Sequence, residues 1–74
     1  MEEQVLSIIN DIRRSKNLNV LESLKETDNL RNDLNLTSFD LAELTVRIED
    51  ESGVDIFEEG IVNTIGEIYE RLKK

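Results

Sequence analysis

Residues 37–53 read TSFDLAELTVRIEDESG, and this stretch specifies a helix at both of its ends. Thr37 is a good N-cap, and Asp40 three residues later completes a capping box. In that motif the hydroxyl accepts a first-turn amide while the carboxylate reaches back to the amide of the cap itself. An acid in the first turn also suits the positive end of the helix dipole. Leu41, Leu44, Thr45 and Ile48 follow the spacing of one buried stripe, and Gly53 supplies the residue that most easily turns left-handed at a helix end. Ser38 falls at the first helical position, which leaves a hydroxyl at the start of the helix.

Working outward, Val5, Ile8, Ile9 and Ile12 form a second stripe of the same kind, with Arg13, Arg14 and Lys16 in the last turn, where cations suit the dipole. Asn17 and Asn19 break the pattern. Two readings stand for residues 18–37. Asn19 with Glu22 can cap a short extra turn carrying Val20, Leu21 and Leu24, or the segment is an ordered loop pinned by Leu24, Leu30, Leu34 and Leu36. A short third helix is expected from near Asp55 to about Ile61. The last helix opens at Asn63 or Thr64, where Glu67 completes a capping box on Thr64, and its stripe is Ile65, Ile68, Tyr69 and Leu72. There is no proline, no alternating strand pattern and no hairpin dipeptide. The reading is all-α: one domain over residues 1–74, a small four-helix bundle of three main helices and one short one, with a long first loop.

Composition narrows the function. A chain of 74 residues buries only ~60% of its unfolded surface, so its stability margin is thin. It has no Cys and no His, hence no disulfide, no thiolate nucleophile, and neither the usual general base nor the commonest metal ligand. The expectation is that it is not an enzyme. A net charge of −8 opposes binding to nucleic acid. That charge is concentrated: residues 40–59 hold eight acids (Asp40, Glu43, Glu49, Asp50, Glu51, Asp55, Glu58 and Glu59) against Arg47 alone, whereas residues 1–16 sum to zero. A basic partner surface is the natural complement; the alternative is a solvated acidic face that aids solubility. No apolar run approaches the ~18 residues of a membrane span, and the N-terminus MEEQVLSIIN is acidic where a signal peptide is basic. A cytoplasmic protein without membrane contact fits best.

The second helix carries more than its core stripe. Phe39, Ala42 and Val46 cluster on a different side, together with Glu43 and Asp50 and bordered by Glu49. An apolar strip rimmed by charge has the anatomy of a docking site; the competing expectation is that Phe39 folds back into the core. Asp33-x-Asn35-x-Thr37 imitates the start of a calcium loop, but the sixth position is Ser38 rather than Gly and the twelfth is Leu44 rather than Glu. No metal site is expected. A catalytic Ser38 would need a base, and only carboxylates and lysines are on offer.

The stretch DLNLTSFDLAELTVRIEDESGVDI, residues 33–56, resembles the signature region of acyl carrier proteins, whose typical form is D-L-G-x-D-S-L-[DE]-x-x-E-L with an acidic helix end. The resemblance extends along the whole chain and implies the family's four-helix bundle. It implies a covalent 4′-phosphopantetheine, delivered from coenzyme A by a phosphopantetheinyl transferase, on the serine that matches Ser38. The arm's thiol would hold an acyl cargo as a thioester, which accounts for the missing Cys. The implied protein is a stand-alone, monomeric carrier that presents its cargo to acyl-loading and acyl-transferring enzymes. Their basic patches would meet Phe39, Asp40, Ala42, Glu43, Val46, Glu49 and Asp50. An aminoacyl or peptidyl cargo is the alternative within this class, and an unmodified interaction module the alternative outside it. The chain departs from the pattern at five places. Thr37 stands for the usual Asp, Asn35 for Gly and Phe39 for Leu; Ser52 stands for a large apolar residue, and Arg47 interrupts the acidic helix. The Thr37-Ser38-Phe39 and Arg47 changes lean toward a dedicated polysaccharide, polyketide or peptide-type pathway. Ser52 leads one to expect a cavity, a water or compensation by Phe57.

Overall fold

A computed structural model describes residues 1–73. Three helices and no strand occur among the described residues: α1 is Glu2–Ser15, α2 is Ser38–Ser52 and α3 is Ile65–Leu72. The stripes read from the sequence face one shared core. Val5, Ile8, Ile9 and Ile12 of α1, Leu41, Leu44 and Ile48 of α2, and Ile65 and Ile68 of α3 are all buried in it. α1 packs directly on α2. Both capping boxes form as spaced: Asp40 N donates to Thr37 Oγ1 while Thr37 N donates to Asp40 Oδ2, and Thr64 and Glu67 repeat the arrangement. Gly53 closes α2 at φ 75°, its amide donating to Glu49 O.

Of the two readings for residues 18–37, the structure has the ordered loop. Leu30, Leu34 and Leu36 are buried and Leu24 packs against the same core. Long polar side chains of α1 hold the loop's backbone. Asn10 pairs with both backbone groups of Leu21, at 2.9 and 2.8 Å, and so removes the amide that a helical turn there would use. Arg13, buried, donates to Asn19 O and Leu34 O. The basic end of α1 therefore does more than complement a dipole. It supplies donors to carbonyls that would otherwise be buried unpaired. The far side of the loop is stitched to the start of α3: Leu30 N donates to Asn63 O, Ile65 N to Asp28 O and Gly66 N to Glu26 O. A Cβ at Gly66 would lie 3.1 Å from Glu26 O, so a side chain there would push the loop back by a few tenths of an ångström.

The short helix expected near residues 55–61 is not present; two successive turns take its place. Glu58 N donates to Asp55 O and Gly60 N to Phe57 O. The reason is competition for the same groups. Asp55 Oδ1 takes the Phe57 amide, Arg71 reaches over from α3 to Ile56 O, and Gly60 adopts φ 129°, outside any helix. Ile56 and Val62 stay fully buried and fix the segment at both ends. At the end of α2, Ser52 is half-buried. Its hydroxyl donates to Ile48 O and accepts from Val54 N, and no buried side-chain polar atom is left unpaired among the described residues. The hydroxyl thus acts as a local cap and needs no bridging water, while Phe57 is half-buried against the core.

Candidate functional site

Ser38 is the first residue of α2 and is exposed. Its place is set by three neighbours on its N-terminal side. Leu34 and Leu36 are buried, and Asn35 between them takes φ 59°, the left-handed turn that Asn tolerates better than other non-glycine residues. Thr37 then caps, which leaves the Ser38 side chain free of capping duty. The amides of Ser38 and Phe39 donate to nothing among the described residues, as expected of a helix start. Ser38 Oγ accepts a hydrogen bond from Arg31 Nη2 at 2.8 Å, the only one to that oxygen among the described residues. Among the described residues no carboxylate is hydrogen-bonded to the hydroxyl, which is where a general base for it would have to stand.

Beside Ser38 runs an open groove of about 270 Å³. Leu41, Ala42 and Thr45 of α2 form one wall, Phe57, Ile61 and Val62 of the turn segment form the other, and Arg31 sits at its mouth with Ser38. Phe57, expected at the core end near Ser52, lines this groove. Ile61 is 77% exposed, a large apolar side chain left on the rim.

The second apolar strip of α2 is present as read. Phe39 is 82% exposed and Val46 58%, so Phe39 does not fold back into the core. With Ala42, Glu43 and Arg47 they border a shallow concavity. Glu49 and Asp50 are exposed and make no ion pair among the described residues. Arg47 turns toward α1, pairing with Asp11 at 2.8 Å and lying 3.9 Å from Glu43. The interruption of the acidic helix is therefore largely an α1–α2 tie.

Asp40 departs from its expected place on the docking face. It is buried, its carboxylate accepts from Thr37 N, and the same oxygen pairs with Lys16 Nζ at 2.6 Å. Lys16 also donates to Asn35 O, so one ammonium ties the left-handed turn to the helix cap. Burial pushes the Asp40 carboxyl up, but the hydrogen bonds from Lys16 and Thr37 outweigh it and hold the group below its ordinary value of 3.8. A carboxyl depressed in the folded state stabilises fully above the unfolded value and loses that contribution as pH falls through the folded one. Asp40→Ala is expected to cost ~1–3 kcal/mol at neutral pH. The gap to the parent protein should then close in acid, below pH 3.8. Urea melts across that range check it; a gap independent of pH would mean that packing, rather than charge, is what Asp40 contributes.

Sequence reasoning missed Arg31 altogether. It lies seven residues before Ser38, with no periodic or capping signal to join the two. Among the described residues no group of His, Cys, Asp and Glu is arranged to hold a metal ion, and no helix is long and apolar enough to cross a membrane. A family model described as "Phosphopantetheine attachment site" matches residues 4–72. No curated protein and no solved structure matches the chain.

Proposed function

The chain belongs to the phosphopantetheine attachment site family, and on that basis we propose that it is an acyl carrier in which Ser38 bears the 4′-phosphopantetheine. Proteins of this family are carriers of that covalent group rather than catalysts. The group contributes a terminal thiol on a long arm, on which cargo is held as a thioester. The observation that carries the assignment to Ser38 is its exposed hydroxyl at the start of a helix capped by its neighbour, at the mouth of an apolar groove.

The surroundings suit the group. The unpaired amides and the dipole of α2 favour an anion on Ser38, and Arg31 adds a formal positive charge within reach of that oxygen. In the transfer, Ser38 Oγ would attack the phosphorus of the coenzyme A pyrophosphate, forming the new Oγ–P bond and releasing the adenosine bisphosphate. The serine proton would go to a base of the transferase, since among the described residues none is hydrogen-bonded to Ser38. Leu41, Ala42, Phe57, Ile61 and Val62 favour an acyl cargo, because apolar walls reward burial of hydrocarbon. An aminoacyl cargo is the second reading, supported by Thr45 and Arg31 as polar contacts along the same groove. A single carrier domain over residues 1–74, acting in the cytoplasm where coenzyme A is drawn upon, completes the reading. Partner enzymes would bring a basic patch to Glu43, Glu49 and Asp50 and an apolar contact to Phe39, Ala42 and Val46. Asp40 is left out of this face because its carboxylate is engaged internally.

The test is incubation with coenzyme A and a broad-specificity transferase, followed by intact-mass and fragment analysis. One phosphopantetheine group is expected, on the peptide containing Ser38 and not on those containing Ser7, Ser15, Ser23 or Ser52. No mass gain with several transferases would leave the unmodified interaction module as the better account. A gain on another serine would overturn the assignment of Ser38.

A further inference from the structure

We propose that Arg31 is the residue that binds the phosphate attached to Ser38, fixing the first bonds of the arm at the mouth of the groove. This rests on the assignment of Ser38 made above. Arg31 Nη2 already donates to Ser38 Oγ at 2.8 Å. Once that oxygen is esterified it becomes a weak acceptor. The two non-bridging oxygens, which share the single negative charge of the phosphodiester, then lie two bonds further on, within the sweep of the same guanidinium. Charge-assisted bonds to phosphate are stronger than a bond to a neutral hydroxyl, and the planar fork of arginine can engage two oxygens together.

The ion-pair pattern of the chain points the same way. With 17 acidic residues against 9 basic ones, carboxylates are in excess, yet each of the other arginines is engaged elsewhere. Arg14 and Arg47 both pair with Asp11, while Arg13 and Arg71 are spent on backbone carbonyls. Arg31 has no carboxylate partner among the described residues. Its backbone is nonetheless well held. Its amide donates to Asn29 Oδ1, and the flanking Leu30 and, three residues on, Leu34 are buried in the core. A fixed Cα with an unpaired cation at its tip is an anion receptor whose ordering cost is already partly met. Arg31 and Ser38 both line the groove, so a phosphate held between them leaves the arm beside Phe57, Ile61 and Val62.

The experiment compares primed parent protein with primed Arg31→Gln and Arg31→Lys by NMR. In the parent, priming should shift the Arg31 Nε–Hε signal and slow its exchange with water several-fold. The phosphorus resonance should differ from that of a short serine–phosphopantetheine peptide and move toward it as salt is added, since screening weakens the pair. Arg31→Gln should move the phosphorus signal most of the way toward that of the peptide and flatten its salt dependence, the remainder being the effect of the α2 N-terminus, with Arg31→Lys between the two. The turn should survive in both variants, because Asn29 holds the backbone amide and not the side chain; the amide spectrum of the unprimed proteins verifies this. A primed protein whose phosphorus signal is the same in all three forms and indifferent to salt overturns the role of Arg31 alone. Failure of every form to accept the group at Ser38 overturns it together with the assignment on which it rests.

Discussion

Ser38→Ala is expected to accept no phosphopantetheine at all, while melting within ~0.5 kcal/mol of the parent protein. Both halves follow from the local structure. Thr37 and Asp40 carry the capping of α2, so the serine side chain is dispensable to the helix. Alanine is a good helix former, exposure at this position means that no cavity is left behind, and the one hydrogen bond lost is that from Arg31. The pairing of total functional loss with structural neutrality is what separates an attachment site from a residue that merely keeps the fold. The measurements are intact mass after priming and a thermal melt of the unprimed variant. Residual modification would mean that another serine is the acceptor. A large drop in stability would mean that the hydroxyl belongs to the fold, which would weaken the reading of Ser38 as a site.

The second large effect is expected from a loop. Leu30→Ala should cost ~2–5 kcal/mol, as much as truncating a helical core residue. Leu30 is 0% exposed, and its backbone is tied on both sides, its amide to Asn63 O and its carbonyl to Leu36 N. The chain around it cannot collapse inward to refill the space. Against a total of ~4–11 kcal/mol for a domain of this length, that loss leaves a substantial fraction unfolded near physiological temperature. Urea melts should show a lower midpoint with an unchanged slope, and Val20→Ala, on the same loop but 52% exposed, should be nearly silent. A cost below ~1 kcal/mol for Leu30→Ala would show that the loop opens without disturbing the helices, and that the mouth of the groove is mobile rather than fixed.

The contrast between Leu30 and the helices bears on what the chain reveals locally. The starts of α2 and α3, the glycine that ends α2, the three core stripes and the exposed strip of Phe39, Ala42 and Val46 are all legible without coordinates. Each depends on residues three or four apart. Helix capping and amphipathic burial are settled within about one turn, where few partners compete. The serine at the head of α2 belongs to the same class, since its position relative to Thr37 and Asp40 fixes its exposure.

What required the tertiary structure are polar choices made across long separations. Asn10 engages Leu21 eleven residues away, Arg13 engages Leu34 twenty-one away, and Arg47 engages Asp11 thirty-six away. In each case several donors and acceptors are equally suitable locally, and only the packing of α1 on α2 decides which of them meet. Asp40 shows the consequence. As part of an acidic cluster it reads as a docking residue, yet Lys16, brought in from the end of α1, turns it into a buried anchor. The segment from Asp55 to Ile61 has a composition open to a helix, but Arg71 takes the Ile56 carbonyl and the segment resolves into turns. Arg31 is the clearest instance. Its meeting with Ser38 depends on the path of a loop that buried leucines and the start of α3 hold in place. No local pattern encodes it, because the contact is a by-product of where the core pulls the chain.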